Sequence, residues 1–399
     1  MFAELLACSN FSFLRGASHP EELVERAHEL GLLALGLCDR DGLYGSVRAF
    51  DKAQELGQGY LVGAELSLDL SIHDNENDGR ARLAIADFSR KHPEFTPTLV
   101  VYPEHHRGYR SLCRAITLAH QDRPKGTSGY RIFRHGIPAE GLVYIVPADS
   151  LLALDGCRDP DQDDESSPLD RVLARLAVEA PKQTYLGQFR HFDAEDPRRE
   201  TLIRRASERF GFPILASARP RFHHRERRPL ADVLDCIRRG VRLDEAGRFL
   251  HGNSEARLLS EAEIRSRFTD RPEWVSRTEE VVERCPFSLS ELDYKFPCRL
   301  EPGQTADEKL KFLVKAGARR RYPRGVPEKV KQQLKHELDI ITGMQMASYF
   351  LSTWEVVQMA KQRKYFARGG EVLPIAPSAS SSASRGSIPI AAVCYSSDS

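Results

Sequence analysis

Residues 18–39, "SHPEELVERAHELGLLALGLCD", decide how the front of this chain is read. Ser18 stands three residues before Glu21, the spacing of a capping box. Leu23, Ala27 and Leu30 then fall on one face of the helix that follows. Gly31 supplies a stop. "LLALGLCD" comes next, a continuous apolar run of strand length that ends at Asp39 and reads as a buried strand. A helix feeding a buried strand is the repeating unit of layered α/β folds.

Working outward, the alternation repeats. "GSVRAFDKAQELG" (45–57) reads as a second helix, and "YLVGAEL" (60–66) as a second strand ending near Glu65. "TLVVY" (98–102), "LVYIV" (142–146), "TYLGQF" (184–189) and "FPILAS" (212–217) continue the series. Strands alternating with helices predict a parallel β/α architecture, here a barrel over residues 1–225. "SIHDNENDGR" (71–80) and "DGCRDPDQDDESSP" (155–168) read as polar surface loops.

After residue 225 the character changes to charged helices. "RERRPLADVLDCIRRG" (225–240) opens the region, and "DEKLKFLVKAGARRRYP" (307–323) is amphipathic and basic at its end. "PEKVKQQLKHELDIITG" (327–343) places Val330, Leu334, Leu338 and Ile341 at helical spacing and stops at Gly343. These residues predict a helical region over 226–345. "SYFLSTWEVVQMAKQRK" (348–364) reads as one more helix, capped by Ser352 with Glu355. "APSASSSAS" (376–384) is low in complexity and predicts a disordered tail.

The bulk properties narrow the setting. At 399 residues, two or three domains are expected. A formal net charge of +1 demands no nucleic acid as partner, though local patches still can bind one. Eight cysteines are scattered singly without a CxxC pair, so no zinc ribbon or redox motif is written here. "MFAELLACSNFSF" lacks the basic n-region and long apolar core of a signal peptide. No apolar run approaches the ~20 residues of a membrane helix. The expectation is a soluble, cytoplasmic chain without a membrane partner.

Four groups of residues bear on chemistry. Asp39 and Glu65 end predicted strands, on the face where β/α barrels carry their sites, and two convergent carboxylates suit a hard cation. They equally suit a turn start and a barrel-end cap. The adjacent pairs His105–His106 and His223–His224 would point to opposite faces of a strand, so the bland reading is exposed loop histidines. Arg319, Arg320 and Arg321 could grip nucleic-acid phosphates, or offset a helix C-terminal dipole. Arg385, Gly386 and Ser387 could offer a guanidinium, backbone N–H groups and a hydroxyl to a triphosphate, or belong to a disordered tail.

Residues 9–50, "SNFSFLRGASHPEELVERAHELGLLALGLCDRDGLYGSVRAF", closely resemble the N-terminal segment of error-prone DNA polymerases. These are the mutagenic relatives of the bacterial polymerase III alpha subunit. "LVGAEL", "RGYRSLCRAITLA", "RRPLADVLDCIRRG", "RYPRGVPEKV" and "YFLSTWEVVQMA" follow in the family's order, up to about residue 365. The resemblance implies a PHP domain of β/α-barrel fold, then helices, then a nucleotidyltransferase palm. It implies DNA and deoxynucleoside triphosphates as partners, possible contact with mutagenesis or replication proteins, and magnesium as cofactor of the full-length polymerase.

The resemblance also marks departures. Metal-binding PHP domains open with His-x-His, where this chain has Leu6 and Cys8. A later Asp-x-His is replaced by Arg219-Pro220-Arg221. Asp39 and Glu65 remain, as a vestigial metal site in a barrel read as structural, and no cofactor is assigned to this chain itself. "ASRGSIPIAAVCY" (383–395) resembles the family's triphosphate-holding palm segment, which gives Arg385, Gly386 and Ser387 their nucleotide-binding expectation. "FARGGEVLPIAPSASSSAS" (366–384) before it looks out of frame or inserted.

The expectation is therefore the front part of an error-prone DNA-directed DNA polymerase, acting in translesion synthesis and repair. It comprises the barrel (1–225), a helical connection (226–345) and an incomplete palm edge (346–399). It is truncated before the palm aspartates, so it has no catalytic residues of its own and is inactive alone. The alternatives are a non-catalytic DNA- or partner-binding module and a metal-dependent PHP phosphoesterase using Asp39 and Glu65.

Overall fold

The computed structural model describes residues 1–70, 96–137, 140–156, 167–247, 250, 252–292, 296–363, 365–368 and 371–374. The polar loop at 71–80, most of that at 155–168, "APSASSSAS" and Arg385–Ser387 lie outside them. The chain divides into two compact units, Met1–Leu292 and Asp293–Ser399.

The first unit runs β1 (Ala3–Ala7), α1 (Pro20–Glu29), β2 (Ala34–Arg40), α2 (Ser46–Leu56), β3 (Tyr60–Asp69), β4 (Thr98–Pro103), α3 (His106–His120), β5 (Tyr130–Arg131), α4 (Ile132–His135), β6 (Leu142–Pro147), α5 (Ala148–Gly156), α6 (Pro168–Glu179), β7 (Thr184–Gln188), α7 (Asp196–Phe210) and β8 (Ile214–Ala216). It closes with α8 (Arg228–Arg239), α9 (Glu261–Arg267), α10 (Pro272–Ser276) and α11 (Thr278–Arg284). The sheet order is β1-β2-β3-β4-β6-β7-β8, with the two-residue β5 beside β3.

The expected α/β class holds, with two corrections. The sheet is mixed, because β4 runs antiparallel to both β3 and β6. All six residues of β4 are buried, and an apolar run of that kind carries no mark of its direction. Second, the sheet is a half-barrel: among the described residues β1 and β8 share no ladder. Glu4 bridges that seam instead. Its carboxylate accepts from Ser217 Oγ at 2.5 Å and from Ala218 N at 2.7 Å.

The two faces of the sheet bury different sets. Leu35, Leu37, Ala64, Leu66 and Val101 pack against the helices. Ala34, Cys38, Leu61, Val100, Tyr102, Val143 and Ile145 fill the concave face, together with Val281 from α11 and Cys285 just after it. Gly36 and Gly63 leave room there for Tyr102. A Cβ at either would approach its ring or hydroxyl to 2.5 Å or less. The Tyr102 hydroxyl donates to Leu5 O at 2.6 Å, so the ring locks β4 against β1.

Helix boundaries shift from expectation. The N-cap of α1 is His19, whose N–H donates to Glu22 at 2.8 Å, because Pro20 fixes the first helical position. Ser18 instead bonds His223.

The second unit holds α12 (Ala306–Arg321), α13 (Glu328–Gly343), α14 (Ala347–Gln362), and the antiparallel pair β9 (Tyr365–Arg368) and β10 (Glu371–Pro374). Leu310, Val314, Leu334, Ile341 and Leu351 form its core, and of the four residues read at helical spacing in 327–343, Leu334 and Ile341 are buried in it while Val330 and Leu338 pack against it partly buried. Thr305 caps α12 with Glu308 in a capping box. Ser352 lies inside α14 and donates back to Ser348 O at 2.9 Å, so it is no cap.

Candidate functional site

Glu65 stands at the centre of the concave face. It is the sixth residue of β3 and pairs with Arg40, the last of β2, rather than ending its own strand. It is 3 % exposed. Arg219 Nη2 donates to Glu65 Oε1 at 2.6 Å, and Thr98 Oγ1 donates to the same oxygen at 2.7 Å. Arg40 Nη2 lies 3.6 Å away. Burial favours the neutral acid. The Arg219 and Arg40 guanidiniums outweigh it and hold the carboxyl down at about 2. Arg219 also reaches Asp149 Oδ2 at 3.2 Å, and these two carboxylates keep its charge despite burial.

Asp39 does not join this group. Side chains alternate along a strand, and the register sets Asp39 beside Ala64, on the helix side, while Arg40 and Glu65 share the concave side. Asp39 accepts from Ser9 N at 2.8 Å, Ser9 Oγ at 2.8 and 2.9 Å, and Ser12 Oγ at 2.8 Å. Burial raises its pKa, and the serine and Gly45 donors restrain the rise. Its role in the structure is to bind the 9–12 turn to β2.

The cavity in front of Glu65 measures about 740 Å³. Leu6, Cys8, Arg219 and Arg221 all line it. The four positions where the sequence departs from a metal-binding pattern are thus brought together in space. Leu6 offers no donor atom. The Cys8 thiol is pushed up to about 11 by burial and donates to Pro220 O at 3.8 Å. Arg221 is held by Asp235 through two contacts, at 3.1 and 3.2 Å. A divalent ion needs several anionic or imidazole donors. Here a guanidinium occupies the one central carboxylate, so the residues do not fit a metal. Among the described residues no group of three or more His, Cys, Asp or Glu side chains comes together in a way that could hold an ion.

The histidines sit elsewhere. His105 and His106 open α3 rather than lying on a strand, with His105 accepting from Gly108 N. His223 and His224 precede a short turn of 3₁₀ helix. Buried His191, which sequence reasoning missed, lines the cavity and bonds Ala218 O at 2.8 Å. Asp149 and Glu4 were also missed. Asp149 follows the end of β6, the same end-of-strand signal that marked Asp39. Glu4 is an acid inside an apolar strand, a signal in itself. Arg319, Arg320 and Arg321 form the exposed last turn of α12, and no ion pair of theirs is formed among the described residues.

The α/β half-barrel is consistent with a PHP-type fold. Residues 6–160 match the PHP domain family, and residues 308–397 match the bacterial DNA polymerase III alpha NTPase domain. The error-prone DNA polymerase of Methylococcus capsulatus is 35% identical over 396 residues, covering 99% of this chain and 32% of that protein. That of Rhodopirellula baltica is 33% identical over 408 residues, covering 99% and 31%. That of Sinorhizobium medicae is 32% identical over 368 residues, covering 92% and 30%. The chain is a PHP-containing homologue of the error-prone, polymerase III alpha-like DNA polymerases, related to their N-terminal region. It spans about a third of the length of the curated relatives it matches.

Proposed function

We propose that these residues form the PHP and connecting part of an error-prone DNA polymerase, in which the PHP cavity is a structural centre and not a metal-dependent phosphoesterase. The parts are a PHP-type α/β half-barrel over 1–225, a helical connection over 226–345, and the start of a palm from 346. The observation that carries the reading is the Arg219–Glu65 contact of 2.6 Å. A protein-borne cation takes the carboxylate oxygen that an ion would need, and Leu6 and Cys8 add nothing to replace it.

The polymerase of which these residues are a part would add deoxynucleotides on damaged DNA templates, in the cytoplasm, with magnesium. Magnesium in such chemistry activates the attacking hydroxyl and steadies the leaving group. Arg385, Gly386 and Ser387 would contact the triphosphate, and Arg319 to Arg321 the DNA. Asp39 and Glu65 would hold no ion.

The test is made on purified protein of these 399 residues. Primer extension in magnesium should be absent, and so should phosphoester hydrolysis in manganese or zinc. Extension that a chelator abolishes, or hydrolysis lost on Glu65→Gln, would overturn the reading.

A further inference from the structure

The cavity carries more positive charge than its carboxylates neutralise. Eight arginines line it against five carboxylates, and two of the eight, Arg199 and Arg228, also pair with Asp196 and Asp232 just outside the lining. Several of the arginines are committed. Arg219 is held by Glu65 and Asp149, Arg221 and Arg238 by Asp235, and Arg199 by Asp193 and Asp196.

Arg15 differs. Its guanidinium makes no hydrogen bond or ion pair among the described residues, and it is only partly exposed. Its backbone is fixed, because Arg221 Nε donates to Arg15 O at 3.1 Å. Its neighbours are like charges. Repulsion from Arg40, then burial, then Arg238 and Arg221, pushes its pKa down to about 9. Arg40, whose Nη groups meet Ser67 Oγ at 3.2 Å and Glu65 at 3.6 Å, keeps a buried Nε with no hydrogen-bond partner. A guanidinium placed among other guanidiniums, without a carboxylate of its own, is costly unless an anion completes the set.

We propose that this cavity is an anion site that holds a phosphate-bearing ligand directly on arginine, without a metal, with Arg15 and Arg40 as its principal donors. The planar fork of arginine matches two oxygens of a phosphate at once, and charge-assisted bonds of this kind are the strong ones. The volume of about 740 Å³ lies within the ~300–1,000 Å³ of small-molecule sites, which leaves space for a nucleoside beside its phosphate. Glu65 and Asp149 would repel an anion, but Arg219 covers both. The ligand's charge therefore falls on the Arg15 side. Two sources supply the same chemistry: a free nucleoside monophosphate, or the 5′-phosphate end of a DNA strand. The inference goes beyond the polymerase reading and does not depend on it.

Calorimetric titration of the whole chain in chelator-treated buffer tests it. The probes are deoxyadenosine monophosphate and a short oligothymidylate with or without a 5′-phosphate. The expected result is binding of the monophosphate, weakened roughly tenfold or more by Arg15→Ala and unchanged by Arg324→Ala. Arg15→Gln, which keeps the side chain's bulk, should weaken it equally. Binding of the 5′-phosphorylated strand alone, with the same dependence on Arg15, also supports the site and assigns it to strand ends. No binding of either probe by folded protein overturns the proposal. So does binding that Arg15→Ala leaves intact, or binding that appears only when manganese is added.

Discussion

Arg219 and Glu65 meet at 2.6 Å although 154 positions separate them in the sequence. Arg219 follows β8 with φ at +47°, a conformation that side-chain-bearing residues seldom adopt. That turn carries the guanidinium onto the concave face. Removing it leaves Glu65 buried and without its main counter-charge. Arg219→Ala should destabilise the first unit by roughly 3–5 kcal/mol, and Arg219→Leu with Glu65→Leu should recover most of the loss. Urea denaturation of both variants measures this. An Arg219→Ala protein as stable as the parent would show that the pair carries no such burden.

Acid should expose the same pair. The folded pKa of Glu65, about 2, lies below its ordinary 4.5, so the native state binds fewer protons than the unfolded chain. The stabilisation is full above the ordinary value and is lost as pH falls toward 2. Glu4 and Asp39 have the opposite sign: burial raises both, so their ionisation costs stability as pH rises through their folded values. Glu65→Gln removes only the first contribution. The gap in melting midpoint between parent and Glu65→Gln should narrow from about pH 5 to about pH 2. A gap that is constant over that range refutes the assignment.

Metal should be irrelevant to the first unit. A bound ion at a hundred times its dissociation constant adds about 2.7 kcal/mol of stability. The melting midpoint should therefore stay the same with chelator, manganese or zinc. A rise of several degrees with either ion, lost in Glu65→Gln, would restore a metal site.

The exposed arginines of α12 should govern nonspecific contact with single strands. Each phosphate neutralised contributes about 0.7 to the slope of log affinity against log salt. Replacing Arg319, Arg320 and Arg321 by alanine should lower that slope by about 2 if all three contact phosphate. Fluorescence anisotropy with a labelled oligothymidylate reads it. An unchanged slope would leave these side chains to the C-terminal dipole of their helix.

Part of the site could be read before the fold was known. Leu6, Cys8, Arg219 and Arg221 stand out because the resemblance places metal donors at their positions, and all four line one cavity. Asp149 was equally legible, since it comes just after an apolar run as Asp39 ends one. Arg15 was not. Nothing in "SNFSFLRGAS" (9–18) distinguishes an inward guanidinium from a solvated one. The direction of β4 was hidden for a similar reason, because hydrogen-bond pairing and not side-chain pattern sets it.

The sequence by itself determined the alternation of buried strands with amphipathic helices, the family resemblance and the residues that stand where that resemblance would place metal donors. These properties are local, written in periodicity and residue type. Only the tertiary structure decided that Asp39 and Glu65 face opposite sides of the sheet, that Arg219 covers Glu65, and that Arg15 lies uncompensated among arginines. The facing of a strand residue depends on register, and the pairing of charges depends on segments far apart in the chain. Neither is carried by a window of neighbouring residues.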